Sequence, residues 1–114
     1  MVNVTPERVR NRLNINSEEV EVEKLNEFIE DATAEIELQT GREIDYGNCS
    51  QIEAAAITDL AAIYCICYLT GGKAVGLNFS VGNIQVSSLP NSPSISILEN
   101  RLKELIKKLR EKAY

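Results

Sequence analysis

Histidine is missing altogether from this 114-residue chain. Its absence removes the commonest general base, the commonest metal ligand and the usual pH switch. A basic excess is missing too. Twelve Lys and Arg face 17 Asp and Glu, a formal net charge of −5. An acidic balance argues against a protein whose main task is gripping nucleic acid. Met1 is followed by polar and charged residues, not by a basic segment and an apolar run. No signal peptide is visible, and the chain is expected to be made and kept in the cytoplasm. The longest apolar-rich stretch, Ala54 to Leu69, contains Asp59 and reads as too short for a bilayer span, so no membrane is expected. Cysteines number three and cannot all pair within one chain. Cys65 and Cys67, two apart, would point to nearly opposite sides of a helix, and Cys49 falls in a turn without a ligand partner nearby. Each is expected to be a reduced thiol serving as a small apolar residue.

The usual signatures of chemistry are equally scarce. Gly71-Gly72 lacks the spacing of a phosphate loop. Cys-x-Cys without His or a second Cys pair is not a zinc pattern. A Ser or Cys nucleophile would have no histidine base. Glu19, Glu23 and Glu27 recur at helical spacing, but carboxylates on an exposed face are simply solvated. The expectation is a protein that is not an enzyme and needs neither cofactor nor metal.

What is present describes one ordinary domain over residues 1–114. Hydrophobic residues make up 44% and charged residues 25%, too apolar and too evenly mixed for disorder throughout. The chain is too short for two full domains but long enough for one continuous core. The expected fold is mainly all-α: a small bundle of three longer helices plus a short N-terminal one, with a β-hairpin between the last two helices.

The first helix is announced by Thr5 as N-cap and Pro6 at the first helical position. Val9 and Leu13 share one side, and Asn14 to Asn16 end it. The second is expected over about 18–40, beginning near Ser17 with Asn16 and Glu19 as a capping box. Val22, Leu25, Phe28, Ile29, Ala32 and Ile36 form its apolar stripe, and Gly41 supplies a left-handed C-terminal cap. Ser50-Gln51-Ile52-Glu53 is a capping box opening the third helix. Ile52, Ala55, Ala56, Leu60, Ile63, Tyr64 and Cys67 make it apolar around most of its girth, with Asp59 the main exception. Such a helix is usually the central one. Its small residues Ala54, Ala55, Ala56, Ala61 and Ala62 allow close approach, and Gly71-Gly72 ends it.

The period then changes. Phe79-Ser80-Val81 and Ile84-Gln85-Val86 alternate around Gly82-Asn83, which fits a type II′ turn. In that register Phe79, Val81, Ile84 and Val86 share one face. A lone hairpin is marginal in water, so that face must rest on the chain's own helices or on another chain. After a connector containing Pro90 and Pro93, Ser96 and Glu99 form a further capping box, and Leu98, Leu102, Leu105, Ile106 and Leu109 form an apolar stripe. The exposed side of this last helix turns basic at Lys103, Lys107, Lys108, Arg110 and Lys112. Between Ser17 and Asp59, by contrast, 13 acidic residues face two basic ones. Opposite charge at two ends of one domain suits head-to-tail association, and it also suits pairing within the chain.

The order of parts resembles a known family. An acidic helix closes on Ala32-Thr33-Ala34-Glu35-Ile36-Glu37-Leu38-Gln39-Thr40-Gly41-Arg42. An Ala-rich helix follows from Ile52 to Tyr68, then a Gly-containing hydrophobic segment and a C-terminal helix. Over about residues 5–112 this is similar to the small head–tail connector (adaptor) proteins of long-tailed phages and prophages. The resemblance implies a structural virion protein at the head–tail junction. It would form a homo-oligomeric ring, commonly of about twelve copies, beneath the portal protein. That ring would extend the DNA channel and offer a platform to the next neck, stopper or tail protein. Phe79, Val81, Ile84 and Val86 would then match the family's projecting loop. Lys103 to Tyr114, with Lys107, Lys108, Arg110 and Lys112, would match the part docked on the portal. Glu23, Glu27, Glu30 and Glu37 would match wall surface, facing a channel through which DNA slides without specific binding. Three rivals differ in class. One is a helical interaction or regulatory module with a single cellular partner. Another is an enzyme gathering Asp59, Tyr64 or Cys65 in a pocket. The third is a weak DNA binder using Arg8, Arg12, Lys107 and Lys108.

Overall fold

The structure, a computed structural model, describes residues 1–14, 20–69 and 95–111. Among them are four helices: α1 (Pro6–Leu13), α2 (Val22–Thr40), α3 (Gln51–Leu69) and α4 (Ile95–Glu111). The described fold is therefore mainly all-α. No strand occurs among the described residues, only an isolated antiparallel bridge between Val2 and Cys49. The hairpin expected at Phe79–Val86, the Gly71-Gly72 stop and Lys112 lie outside the described residues.

α1 starts and stops on local chemistry. Thr5 is extended, and its hydroxyl accepts the Arg8 N–H at 3.3 Å; Pro6 follows at the first helical position. Asn14 closes the helix with φ 60°, its N–H donating to the Arg10 carbonyl. α2 begins later than the sequence suggests. The expected box of Asn16 and Glu19 lies outside the described residues, and the chain is still extended at Glu21, with no side-chain cap. The physical reason is Val20. It is buried, and its carbonyl accepts a hydrogen bond from Arg10 Nη2 at 3.0 Å, which holds it out of the helix. The apolar stripe of α2 holds at Leu25, Ile29, Ala32 and Ile36, all fully buried. Val22, counted in that stripe, is 44% exposed.

The capping box of α3 forms as expected. Ser50 Oγ accepts the Glu53 N–H at 3.1 Å, and Glu53 Oε1 accepts the Ser50 N–H at 3.0 Å. α3 packs against α1, α2 and α4, so it is the central element. Ala54, Ala56, Ala61 and Ala62 are wholly buried, which lets the neighbouring backbones come close. By length and composition α3 could cross a bilayer, contrary to the sequence estimate, yet most of it is buried inside the bundle. In α4 the stripe is buried at Leu98, Leu102, Ile106 and Leu109. Its start differs from expectation. The helix already includes Ile95, so Ser96 sits in the first turn rather than capping it.

The helix directions follow from contacts at the ends. Lys24 and Phe28, early in α2, meet Tyr68 at the end of α3. Arg42, just past α2, pairs with Glu53 at the start of α3. α2 and α3 are therefore antiparallel. Arg42 Nη1 also donates to the Leu109 carbonyl near the end of α4, and Arg110 Nε donates to the Gln39 carbonyl near the end of α2. The C-termini of α2 and α4 lie side by side, each satisfied by an arginine from the other's end.

Gly41 carries φ +72°, and a Cβ added there would meet no atom within 4 Å. A substitution at Gly41 therefore costs only the backbone penalty. Gly41→Ala should lower the free energy of urea unfolding by about 1–2 kcal/mol, and Gly41→Asn should cost less. Equal stability of Gly41→Ala and the parent would contradict the left-handed cap.

All three cysteines are buried thiols. Cys49 is not in a free turn: it bridges to Val2, and its thiol donates to the Val2 carbonyl at 3.4 Å. Burial pushes the Cys67 thiol up, and burial followed by the nearby Glu53 pushes Cys49 up. The folded chain thus keeps protons that the unfolded chain releases in alkali. This contribution is intact below an ordinary thiol value of about 8.5 and is lost as pH climbs through the raised folded values. Urea midpoints should stay level below about pH 8 and decline above about pH 9. A midpoint that rises over that alkaline interval would contradict the buried thiols.

Candidate functional site

The first polar feature to explain lies inside the apolar helix. Asp59 is completely buried in the middle of α3. Its carboxylate accepts hydrogen bonds from two helices at once. Arg101 of α4 binds it bidentately, Nε to Oδ2 and Nη2 to Oδ1, each at 2.9 Å. Arg12 Nη1 of α1 bonds to Oδ1. Beside it, Arg8 Nε donates to the buried Thr58 hydroxyl at 2.9 Å, and that hydroxyl donates to the Ala54 carbonyl at 2.7 Å. Arg8 and Arg12 are four apart and so share the face of α1 that meets α3. Arg10 points elsewhere, to Val20 and Glu7.

This cluster holds residues that two of the sequence rivals named. Both Asp59 oxygens are occupied by guanidinium, which makes the residue an anchor between helices rather than an open proton acceptor. Arg8 and Arg12, the α1 residues of the DNA-binding reading, each turn one guanidinium edge to α3. Burial, then the charges of Arg101 and Arg8, lower the proton affinity of Arg12. Among the described residues no group of three or more Cys, Asp or Glu is placed to hold a metal ion.

The surface residues expected to meet partners fall on two helices flanking α3. Glu23, Glu27 and Glu30 are exposed on α2, opposite its buried stripe. Glu27 pairs with Lys24 at 3.5 Å, and Glu30 accepts the Tyr46 hydroxyl at 3.4 Å. Glu37 is different. It is half-buried and accepts the Ile44 N–H at 2.8 Å, so it fastens the loop after α2. On α4, Lys103, Lys107 and Lys108 are exposed and make no ion pair among the described residues. Arg110 is exposed too, but it is committed to Gln39. Phe79, Val81, Ile84, Val86 and Lys112 lie outside the described residues.

One surface feature was not anticipated. Tyr68 is 51% exposed, stacks edge-on against Phe28 at 5.7 Å, and carries Lys24 over its ring at 5.4 Å. Tyr64 lies behind, 6.5 Å from Phe28. The sequence signal was the pair Tyr64 and Tyr68, four apart on one helix. Comparisons with protein-family models, with curated proteins and with solved structures return no match to this chain.

Breaking a buried ion pair by removing one partner strands the others. Asp59→Ala should lower unfolding free energy by about 3–5 kcal/mol. Arg101→Ala should cost less, because the Arg101 side chain is about half exposed and leaves Arg12 on the carboxylate. Urea titrations giving the reverse order would show that Asp59 is not the anchor.

Proposed function

We propose that this chain is a structural component of a phage or prophage head–tail connector. It would assemble head to tail into a ring beneath the portal, extend the DNA channel and join the capsid to the neck or tail. The observation that carries this reading is segregated charge on exposed helix faces. Glu23, Glu27 and Glu30 line the outer side of α2, while Lys103, Lys107 and Lys108 line that of α4. In a ring of identical copies each subunit offers two different surfaces, and opposite charge on them sets orientation and register. The reading is non-catalytic and needs no cofactor. The order of helices supports it through the resemblance to connector proteins, in which the segment between the last two helices projects to neighbours.

The exposed Tyr68, stacked on the half-buried Phe28, favours the second reading, a helical interaction module with one cellular partner. Negative-stain electron microscopy of the concentrated chain, alone and with the portal encoded beside it, separates the two. A ring with a central channel is expected in at least one sample. A monomer or dimer that ignores the portal would overturn the connector reading. Within a ring, Val81→Asp with Ile84→Asp should abolish assembly while leaving the helical circular dichroism intact. Loss of helicity in that variant would assign the segment to the core instead.

A further inference from the structure

The arginines around Asp59 outnumber the charge they hold. Arg8, Arg12 and Arg101 bring three positive charges to one carboxylate, on a chain whose net charge is −5. Their nearest partners are fixed. Asp59 and Thr58 are fully buried and hold one guanidinium edge each of Arg12, Arg101 and Arg8. Arg8 Nη1 and Nη2, Arg12 Nη2 and Arg101 Nη1 make no hydrogen bond among the described residues. The cluster is open to water, with the Arg12 side chain 24% exposed and that of Arg101 49%.

We propose that Arg8, Arg12 and Arg101 form a binding site for a phosphate group, with Asp59 and Thr58 as the buried frame that holds the guanidiniums in place. Planar guanidiniums with free N–H edges match tetrahedral oxyanions, and their prior fixation lowers the ordering cost of binding. Among the described residues two of the three positive charges have no carboxylate of their own, and a dianion would cancel them. Burial is the main cause that lowers the proton affinity of Arg12, the charges of Arg101 and Arg8 add to it, and a bound dianion would offset those charges. The phosphate could come free from solution or from a nucleic-acid backbone. The site stands apart from the connector reading, since a monomer can bind phosphate and a ring can form without it.

The test is a nuclear magnetic resonance titration of the full chain, following the arginine Nε–Hε signals. Inorganic phosphate at low millimolar concentration should move the signals of Arg8, Arg12 and Arg101 along saturable curves, and sodium chloride at matched ionic strength should not. Arg8→Gln should weaken binding at least about tenfold, with Arg8→Lys intermediate because it keeps the charge and loses the fork. A short single-stranded oligonucleotide that saturates the same signals at lower concentration assigns the source to nucleic acid. Saturation by inorganic phosphate alone assigns it to free phosphate. Linear, non-saturating shifts in the parent chain would overturn the site. So would full affinity retained in a folded Arg8→Gln variant.

Discussion

A carboxylate sealed from water at the middle of the central helix constrains everything packed around it. Moving an ion of that size into an apolar interior costs several kcal/mol unless partners satisfy it. Asp59 therefore cannot be buried until α1 delivers Arg12 and α4 delivers Arg101. Those partners lie 47 and 42 residues away in sequence. Apolar stripes alone would tolerate several slides of one helix along another. The bidentate fork of Arg101 tolerates very few, so the carboxylate fixes the register of α4 on α3.

A second polar lock acts at the end of the bundle where α2 and α4 finish. Helix C-termini carry unsatisfied carbonyls and partial negative charge. Arg42 and Arg110 answer both needs, each reaching across to the other helix, while Arg42 also holds Glu53 of the α3 capping box. Between the two locks the contacts are aliphatic: Leu25, Ile29 and Ile36 of α2, Ile57 and Ile66 of α3, and Leu98 and Leu109 of α4 are wholly or almost wholly buried. The division of labour is simple. Apolar area supplies most of the stabilisation, and the two arginine clusters select one arrangement.

Local rules made much of this legible. Thr5-Pro6, Gly41 and Ser50–Glu53 each act through neighbours within a few residues, and each capped or closed its helix as the sequence suggests. The start of α2 departs from the local signal because tertiary contact decides it: Val20 is held in the core and by Arg10. Asp59 stood out in the sequence only as an exception to an apolar pattern. The pattern could not say which of 12 basic residues would meet it, although Arg8 and Arg12 at helical spacing were a clue. The charged faces of α2 and α4 were legible in the sequence. Their commitments within the chain, Glu37 to Ile44 and Arg110 to Gln39, were not, because both depend on how the helix ends come together.

The same economy bears on function. The exposed charge on α2 and α4 is the basis of the proposed assembly reading. The central physical claim is that Asp59 ties α1 and α4 to α3. Native-state hydrogen exchange on Asp59→Asn, compared with the parent chain, tests it most directly. The account predicts that amides of α1 and α4 lose more protection than those of α2, because only the former helices send an arginine to the carboxylate. Equal loss across all four helices, or no loss in any of them, would contradict it.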